Sequence, residues 1–384
     1  MKKNKGLGIA CLAVFFSCLT CEAAWTTKRL TYTSGVSSNP HLATNGANVY
    51  VVWSDDTSGN GEVYFKKSTN GGSAWQKNVR LTYNAAASFC PAIAVSGEQV
   101  FVVWEDGTPG NDEIYLITSL DGGATWQVSR RLTYTAGLSA KPEIAVYGSN
   151  VCLVYEDDTS GNHEVFFRMS TDGGVSWQKP KRLTFTAGDS GDTEIAAYGA
   201  NVYVVWTDNT SGNPVVFFRG STDGGATWKA ALRLSLLPPY YARVPTVAVD
   251  GQNVFVLWQQ RKMDYTVEEI YFKKSTDGGV SWLASMNLSN NPSYSCLPDV
   301  AFIGTNVYVV WTDMTASNVL GCYDIRLKKS ANRGTDWQST LRLTYNDGDS
   351  SFPTVAVNDT TLYITWQDET PGNREIYLKY SPLL

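Results

Sequence analysis

Two short stretches of this chain gather the side chain types that hold a sugar. One reads Pro238-Pro239-Tyr240-Tyr241-Ala242-Arg243, the other Gln259-Gln260-Arg261-Lys262-Met263-Asp264-Tyr265. The aromatic faces of Tyr240, Tyr241 and Tyr265 would stack on the C–H surface of a sugar, and Arg243, Arg261 and Lys262 would favour an acidic one. Both stretches interrupt a repeat that runs through the rest of the chain. A site that occurs once must break such a repeat, so these six residues are the ligand-binding candidates. Sequence drift in two exposed loops is the plain alternative.

Carboxylates form two further series. Asp56, Asp106, Asp158, Asp208, Asp313 and Asp368 recur in an Asp-x-Thr-x-Gly-Asn pattern, followed by Glu62, Glu113, Glu164, Glu269, Asp324 and Glu375, with Val215 breaking the second series. Recurrence points to a hydrogen-bond network in every repeat, with the Arg of a recurrent Arg-Leu-Thr as partner, because a buried charge needs one. Repeated carbohydrate or Ca²⁺ sites are the alternative. The third group varies from repeat to repeat, in the position after a recurrent Pro: His41, Ala92, Glu143, Thr246, Asp299 and Thr354, with Glu194 after Thr193. Glu143, Glu194 and Asp299 suit a cation or basic group, or solvent at the mouth of a channel.

Metal and thiol chemistry is thinly supported. Two histidines, His41 and His163, and cysteines at Cys90, Cys152, Cys296 and Cys322 have no zinc-ligand spacing. No metal or other cofactor is expected. Cys296 and Cys322 fall on two loops of one repeat at the same end, so a disulfide between them is open, against two separate small residues.

The elements that position these residues follow from the repeat. An eight-residue box recurs at Ser68–Trp75, Ser119–Trp126, Ser170–Trp177, Ser221–Trp228, Ser275–Trp282 and, degraded, Ser330–Trp337. The first four copies are 51 residues apart, then the steps are 54 and 55. Between boxes lie apolar runs of four to seven residues bounded by Gly, Asn, Asp or Pro, which are strand and turn signals. A period that long, made of strands, predicts an all-β propeller of four-stranded antiparallel blades.

A strand-ending aromatic counts seven blades: Trp53, Trp104, Tyr155, Trp206, Trp258, Trp311 and Trp366. The Arg-Leu-Thr strand also occurs seven times, at Arg29, Arg80, Arg131, Arg182, Arg233, Asn287 and Arg342, yet the box occurs six times. The first Arg-Leu-Thr has no box before it and the last repeat has no fourth strand after it. The N-terminal strand should therefore complete the last blade and close the ring. The blades are expected at about 34–84, 85–135, 136–186, 187–237, 238–290, 291–345 and 346–384 with 25–33. Ala43, Ala94, Ala145, Ala196, Ala248, Ala301 and Ala356 centre the innermost strands, where converging blades leave least room.

The box resembles the Asp box of sialidases and related Asp-box (BNR) propellers, over residues 25–384. The copies at Ser119 and Ser221 match in full, and those at Ser170 and Ser275 have Ser for Thr. The resemblance implies a structural role: Asp121, Asp172, Asp223 and Asp277 tie their own turns, and Trp75, Trp126, Trp177, Trp228, Trp282 and Trp337 pack between strands. Sialidases of this family carry three Arg for a carboxylate, a Tyr nucleophile paired with Glu, and an Asp acid. This chain lacks the family's Arg-Ile-Pro motif and has seven repeats where those enzymes have six. Its non-repeated Arg, Arg243, Arg261 and Arg374, do not spread over several blades as a clamp would need. No catalytic residue is therefore assigned.

The chain has 384 residues, 43% of them hydrophobic, and a net charge of −5. No Lys/Arg run suggests a nucleic-acid partner. Three Lys, an apolar run from Gly6 to about Cys21 and Glu-Ala-Ala read as a signal peptide over 1–23, too short to span a membrane, with a single domain over 24–384. Lipid anchoring at Cys18 or Cys21 is the lesser expectation, since neither has Leu three residues earlier. The expected function is an exported, monomeric, non-catalytic propeller that binds a glycan or a cell-surface protein, at the cell surface, in a periplasm or secreted. A sialidase-like glycoside hydrolase and an assembly module of an envelope complex are the alternatives.

Overall fold

A computed structural model describes residues 25–237, 239–262, 267–314 and 322–383. The anticipated leader (1–23), with Cys18 and Cys21, lies outside these residues, as do Pro238, Met263, Asp264 and Tyr265. The described residues form seven four-stranded antiparallel sheets arranged as the blades of one ring. Blade 1 is typical. Its strands run Ser37–Asn45, Asn48–Asp55, Glu62–Ser68 and Val79–Arg80, from the axis outward. Among the described residues no helix is long and apolar enough to cross a membrane.

Ring closure follows the sequence expectation. Thr26–Arg29 forms the outermost strand of blade 7, pairing Thr26 with Tyr380 and Arg29 with Tyr377. The Leu30 amide adds a 2.7 Å bond to Ile376 O, and the Thr31 hydroxyl accepts from the Ile376 amide at 2.8 Å. Leu30 itself is buried in the core between blades 7 and 1.

The core is seven apolar clusters, one at each junction between neighbouring blades. Each innermost-strand Ala sits in one of them, so the small residue lies where two blades converge. A third-strand cation spans six junctions. Lys66, Arg168, Arg219, Lys273, Lys328 and Lys379 donate to the carbonyls of Leu30, Leu132, Leu183, Leu234, Leu288 and Leu343 on the preceding blade. Ile117 holds this place in blade 2, and the junction behind it has no such clasp.

The boxes are turns, and their chemistry is local. In the Ser221 copy the hydroxyl accepts from the Gly225 amide, and Asp223 accepts from the Thr227 amide and hydroxyl. The bond from the Thr227 hydroxyl comes first in holding the Asp223 carboxyl down, to about 2. Asp172 and Asp277 are likewise held at about 2 by Ser176 and Ser281, and Asp121 is lowered by Thr125. The box Trp reaches the blade before it. Trp126, Trp228, Trp282 and Trp337 meet Phe65, Phe167, Phe218 and Phe272 edge-on at 4.9–5.1 Å. Trp75 and Trp177 donate to Gly72 and Gly174 carbonyls of their own boxes.

The box turns pack on the inner hairpin turns, as the bond from Gly71 N to Ala47 O shows. The loops between second and third strands, and those between blades, therefore share the opposite face, called here the top. On that face the recurrent acids pair with the strand Arg in five of the seven repeats. Glu62, Glu113, Glu164, Asp324 and Glu375 are buried and pair with Arg80, Arg131, Arg182, Arg342 and Arg29 at 2.6–2.9 Å. One detail of the aspartate series is corrected. Where two Asp are adjacent, the first takes the recurrent role: Asp55 and Asp157 accept from Ser37 and Ser139 hydroxyls. Asp56 and Asp158 instead cap the Val36 and Leu138 amides.

Candidate functional site

Every innermost strand enters from the top through a bulge, with register breaks such as that between Arg243 and Thr246. Each bulge holds one non-glycine residue in the left-handed region: Asn39, Cys90, Lys141, Asp192, Val244, Leu297 and Phe352, at φ of 47–53°. A branched residue such as Val244 is strained there, and strain of this kind persists where the surrounding structure enforces it. Part of that enforcement is visible. Bulge amides of Asn39, Lys141, Asp192 and Leu297 donate to Gln367, Glu105, Glu156 and Gln259 of the preceding blade. The seven bulges encircle the mouth of the axial channel.

A cavity of about 270 Å³ opens at this mouth, lined by His41, Glu143, Thr193 and Glu194 among others. Asp299 shares the same inner-strand position and accepts from the Val355 and Val300 amides at 2.7 and 2.8 Å. Burial pushes Asp299 up to about 6, against the pull of those amides. Burial, then the charge of Asp299, pushes Glu143 up to about 8. Glu194 is raised well above the ordinary range by burial and by Glu143. Burial lowers His41 to about 4, and its Nδ1 accepts from the Ile93 amide. Among the described residues no three His, Cys, Asp or Glu come close enough together to hold a metal.

These shifts give the channel acids a stability signature. A carboxyl raised on folding favours the native state below its unfolded value and loses that advantage as pH climbs to the folded value. His41, lowered on folding, acts oppositely and only below its unfolded value near 6.5. Between about pH 6.5 and 8 the acids act alone, so the melting temperature should fall across that window. Glu143→Gln should flatten the fall, as read by thermal unfolding at half-unit steps. A slope unchanged in that variant would show that Glu143 ionises freely.

A second cavity, about 360 Å³, adjoins the first through Val244, Leu297 and Phe352, which line both. It lies on the top between blades 5, 6 and 7. Its polar lining includes Arg243, Tyr294, Tyr323, Asp349, Glu369 and Arg374. Arg243 donates to the Tyr294 hydroxyl at 3.3 Å and lies 3.6 Å from the buried Glu268 carboxylate. Glu268 also accepts from Gln259 at 2.9 Å. Arg374 pairs with Glu369 at 2.7 Å. Tyr294 and Tyr323 meet edge-on at 6.4 Å. Burial and then Glu268 raise the Tyr294 hydroxyl, and the same two causes push Cys296 up to about 12. Arg243 Nε, Glu268 Oε2 and Thr312 Oγ1 are buried here without a hydrogen-bond partner, as are atoms in other blades such as Ser54 Oγ, Glu113 Oε2 and Thr207 Oγ1.

The structure places the backbone of five of the six ligand candidates and the side chains of four, Tyr240, Tyr241, Arg243 and Arg261. The two stretches of blade 5 extend the inner hairpin as strand, pairing Tyr240 with Lys262, Tyr241 with Arg261 and Arg243 with Gln259. Adjacent strand residues face opposite sides, so Tyr240 and Tyr241 cannot share one ligand face. The Arg243 and Arg261 guanidiniums both lie over the Tyr241 ring, 5.6 and 5.1 Å from its centre. Of the four candidates whose side chains are described, Arg243 alone lines the groove, with Tyr241 against it. Lys262 is placed by its backbone, and Tyr265 lies outside the described residues. Of the two readings left open for Cys296 and Cys322, the structure has two separate free thiols. Cys296 is buried on an inner strand, while Cys322 Sγ lies 3.2 Å from Asp347 O of the next blade's approach.

The groove residues that the sequence analysis did not name, Glu268, Tyr294, Tyr323 and Asp349, occupy fixed columns of the repeat. The position before the recurrent acid reads Gly61, Asp112, His163, Pro214, Glu268, Tyr323 and Arg374. The position before the inner strand's Ser or Ala reads Val36, Ala87, Leu138, Asp189, Tyr241, Tyr294 and Asp349. Tyr and Arg enter these columns in blades 5–7 and in no earlier blade. That change of chemistry within a column was the available signal.

Comparison with known proteins places this geometry. A family described as the BNR repeat-like domain matches residues 54–364. No curated protein sequence matches the chain. Among solved structures, the polysaccharide lyase Uly1 superposes with a TM-score of 0.62 at 11% identity, covering 90% of each chain. A protein of unknown function from Dyadobacter fermentans gives 0.55 at 13%, covering 93% of this chain and 99% of that one. The endosialidase of phage phi92 gives 0.56 at 10%, covering 94% and 70%. Identities this low speak for a shared fold.

Proposed function

We propose a glycan-recognition role for this chain, which belongs to the BNR repeat-like family. The observation that carries the reading is the top groove between blades 5 and 7, where donors and acceptors alternate around aromatic walls. Arg243 and Arg374 already have carboxylate partners in Glu268 and Glu369. Among the described residues the groove therefore offers no bare cation, and its mixed lining suits a hydroxyl-rich sugar better than a free anion. The solved structures described as a polysaccharide lyase and an endosialidase support carbohydrate as the ligand class, by analogy of fold. The basic, apolar N-terminal stretch supports export, which would bring such a propeller to extracellular glycans.

Catalysis is the second reading, and one observation favours it. Tyr294 sits beside Glu268 with Arg243 on it, a set of residue types suited to glycoside cleavage. Against it, the Tyr294 hydroxyl is raised, so it stays protonated where a nucleophile would be activated.

Residues 24–384 applied to a glycan array test both. Selective binding is expected, with Arg243→Ala and Tyr294→Ala each costing about tenfold or more, the scale of one lost buried hydrogen-bonding group. Tyr240→Ala, on the other face of the hairpin, should bind as the parent does. Time-dependent loss of terminal sugars, abolished by Tyr294→Phe, would replace recognition with hydrolysis. No binding and no cleavage would overturn the glycan reading in favour of a protein partner or an assembly role.

A further inference from the structure

The outer rim carries a feature that the top groove does not use. Five aromatic residues, Tyr345, Tyr32, Tyr83, Tyr134 and Phe185, follow the Arg-Leu-Thr strands of blades 6, 7, 1, 2 and 3, and each is 70–76% exposed. Exposure alone would mean little. Each ring, however, is backed by the Arg of its own strand, whose guanidinium lies 4.5–4.7 Å from the ring centre. Each Arg is fixed in turn by a buried carboxylate. One face of every ring is thus held against the protein while the other is turned to solvent, which lowers the ordering cost of stacking a ligand on it.

The five rings occupy consecutive blades. In blade 4 the acid is replaced by Val215 and the aromatic by Leu236, and in blade 5 Asn287 and Asn290 replace the Arg and the aromatic. Blade 4 keeps Arg233 and blade 5 keeps Glu269, so the ring is absent wherever either half of the acid–Arg pair is, and the rim has one continuous arc and one gap. Clefts accompany the rings. One of about 340 Å³ contains Tyr83, Asn84, Asp106 and Thr108, and one of about 460 Å³ contains Tyr134, Arg130, Arg168 and Trp177. These volumes suit one or two sugar rings, and the lining is polar.

Charge narrows the ligand. Arg130 donates to the Gly174 and Val175 carbonyls, and Arg168 to those of Leu132 and Gln178, so neither meets a carboxylate. The next junction repeats the arrangement with Lys181 and Arg219. The rim of a net-acidic chain thus presents cations beside stacking surfaces.

We propose that the rim from blade 6 through blade 3 is a second carbohydrate-binding surface, on which five Arg-backed aromatic rings and adjacent cations hold segments of one acidic polysaccharide. It shares with the groove only the ligand class. Several weak contacts to one polymer add as avidity, so binding should rise steeply with chain length and fall with salt.

The test is affinity electrophoresis of the folded chain in gels containing polygalacturonate, alginate or dextran. Retardation is expected with the two acidic polymers and not with dextran, and it should weaken as salt rises. Single changes of Tyr32, Tyr83, Tyr134, Phe185 or Tyr345 to Ala should each lower affinity a few-fold, and the five together by at least tenfold. Changing the four Tyr to Phe keeps the rings and should keep binding, with the melting temperature as the check on folding. Arg130→Gln with Lys181→Gln should reduce the salt dependence. Arg243→Ala in the groove should leave polymer binding intact, so failure of one site is separable from failure of the other. Wild-type retardation by the five-fold Ala variant, no retardation of the parent by either acidic polymer, or equal retardation by dextran would each overturn the proposal.

Discussion

A chain shortened by residues 25–33 should lose its cooperative unfolding transition and associate with itself. The segment supplies the outermost strand of blade 7, the buried Leu30 and the partner of a fully buried carboxylate. Without it, Glu375 keeps its burial but loses Arg29 and the Thr33 amide, which donate at 2.8 and 2.9 Å. Stripping one partner from a buried ion pair costs about 3–5 kcal/mol, and emptying a buried Leu site about 2–5 kcal/mol. Together they rival the roughly 5–15 kcal/mol that holds a typical domain folded. The strand Glu375–Pro382 would also become an open edge, which invites pairing with another copy. Urea titration followed by tryptophan fluorescence, with sedimentation of the same samples, checks this. A peptide spanning 25–36, added in trans, should restore the transition. A shortened chain with the parent's midpoint and slope would show that the ring holds without its closing strand.

Gly225→Ala should destabilise by about 2–4 kcal/mol, well beyond the same change at Gly224. Both glycines are left-handed, at φ +82° and +70°. A methyl at Gly225 would drive into the Phe167 ring, which is buried and wedged edge-on by Trp228 at 5.1 Å. Neither ring has room to retreat. At Gly224 the same methyl meets the end of the Met169 side chain at 3.0 Å, a flexible neighbour that can turn aside. Gly59, at φ +103° with open space around it, isolates the backbone cost alone. Thermal midpoints of the three variants should rank Gly225→Ala lowest. Equal losses at all three would mean that backbone strain alone sets the cost and the box makes no tight junction.

The ring was legible because its grammar repeats. The seven Arg-Leu-Thr strands against six boxes already implied closure, and the pairing of Thr26–Arg29 with the last strand is its physical form. The groove was not legible in the same way. Arg243, Tyr294 and Arg374 are brought together by the packing of three consecutive blades, a contact that no local pattern encodes. Glu268 was hidden by its neighbour Glu269, which filled the expected place in the acid series. The blade 5 stretches misled for another reason. Pro-Pro and a run of charged residues are loop signals, yet the two sides are long enough to continue pairing as far as Tyr240 and Lys262. Alternation along a strand then separated two tyrosines that sequence had set side by side.

The blade-to-blade clasps have a consequence for where such a molecule can work. The six cations between blades answer to Leu carbonyls and to no acid, and burial lowers the proton affinity of each. A carbonyl cannot be neutralised by acidification, and half-buried contacts are poorly reached by dissolved ions. The sour or briny surroundings that undo ordinary ion pairs would thus act on the acid–Arg pairs inside five of the blades and on the carboxylates at the channel mouth, and leave these six clasps shut.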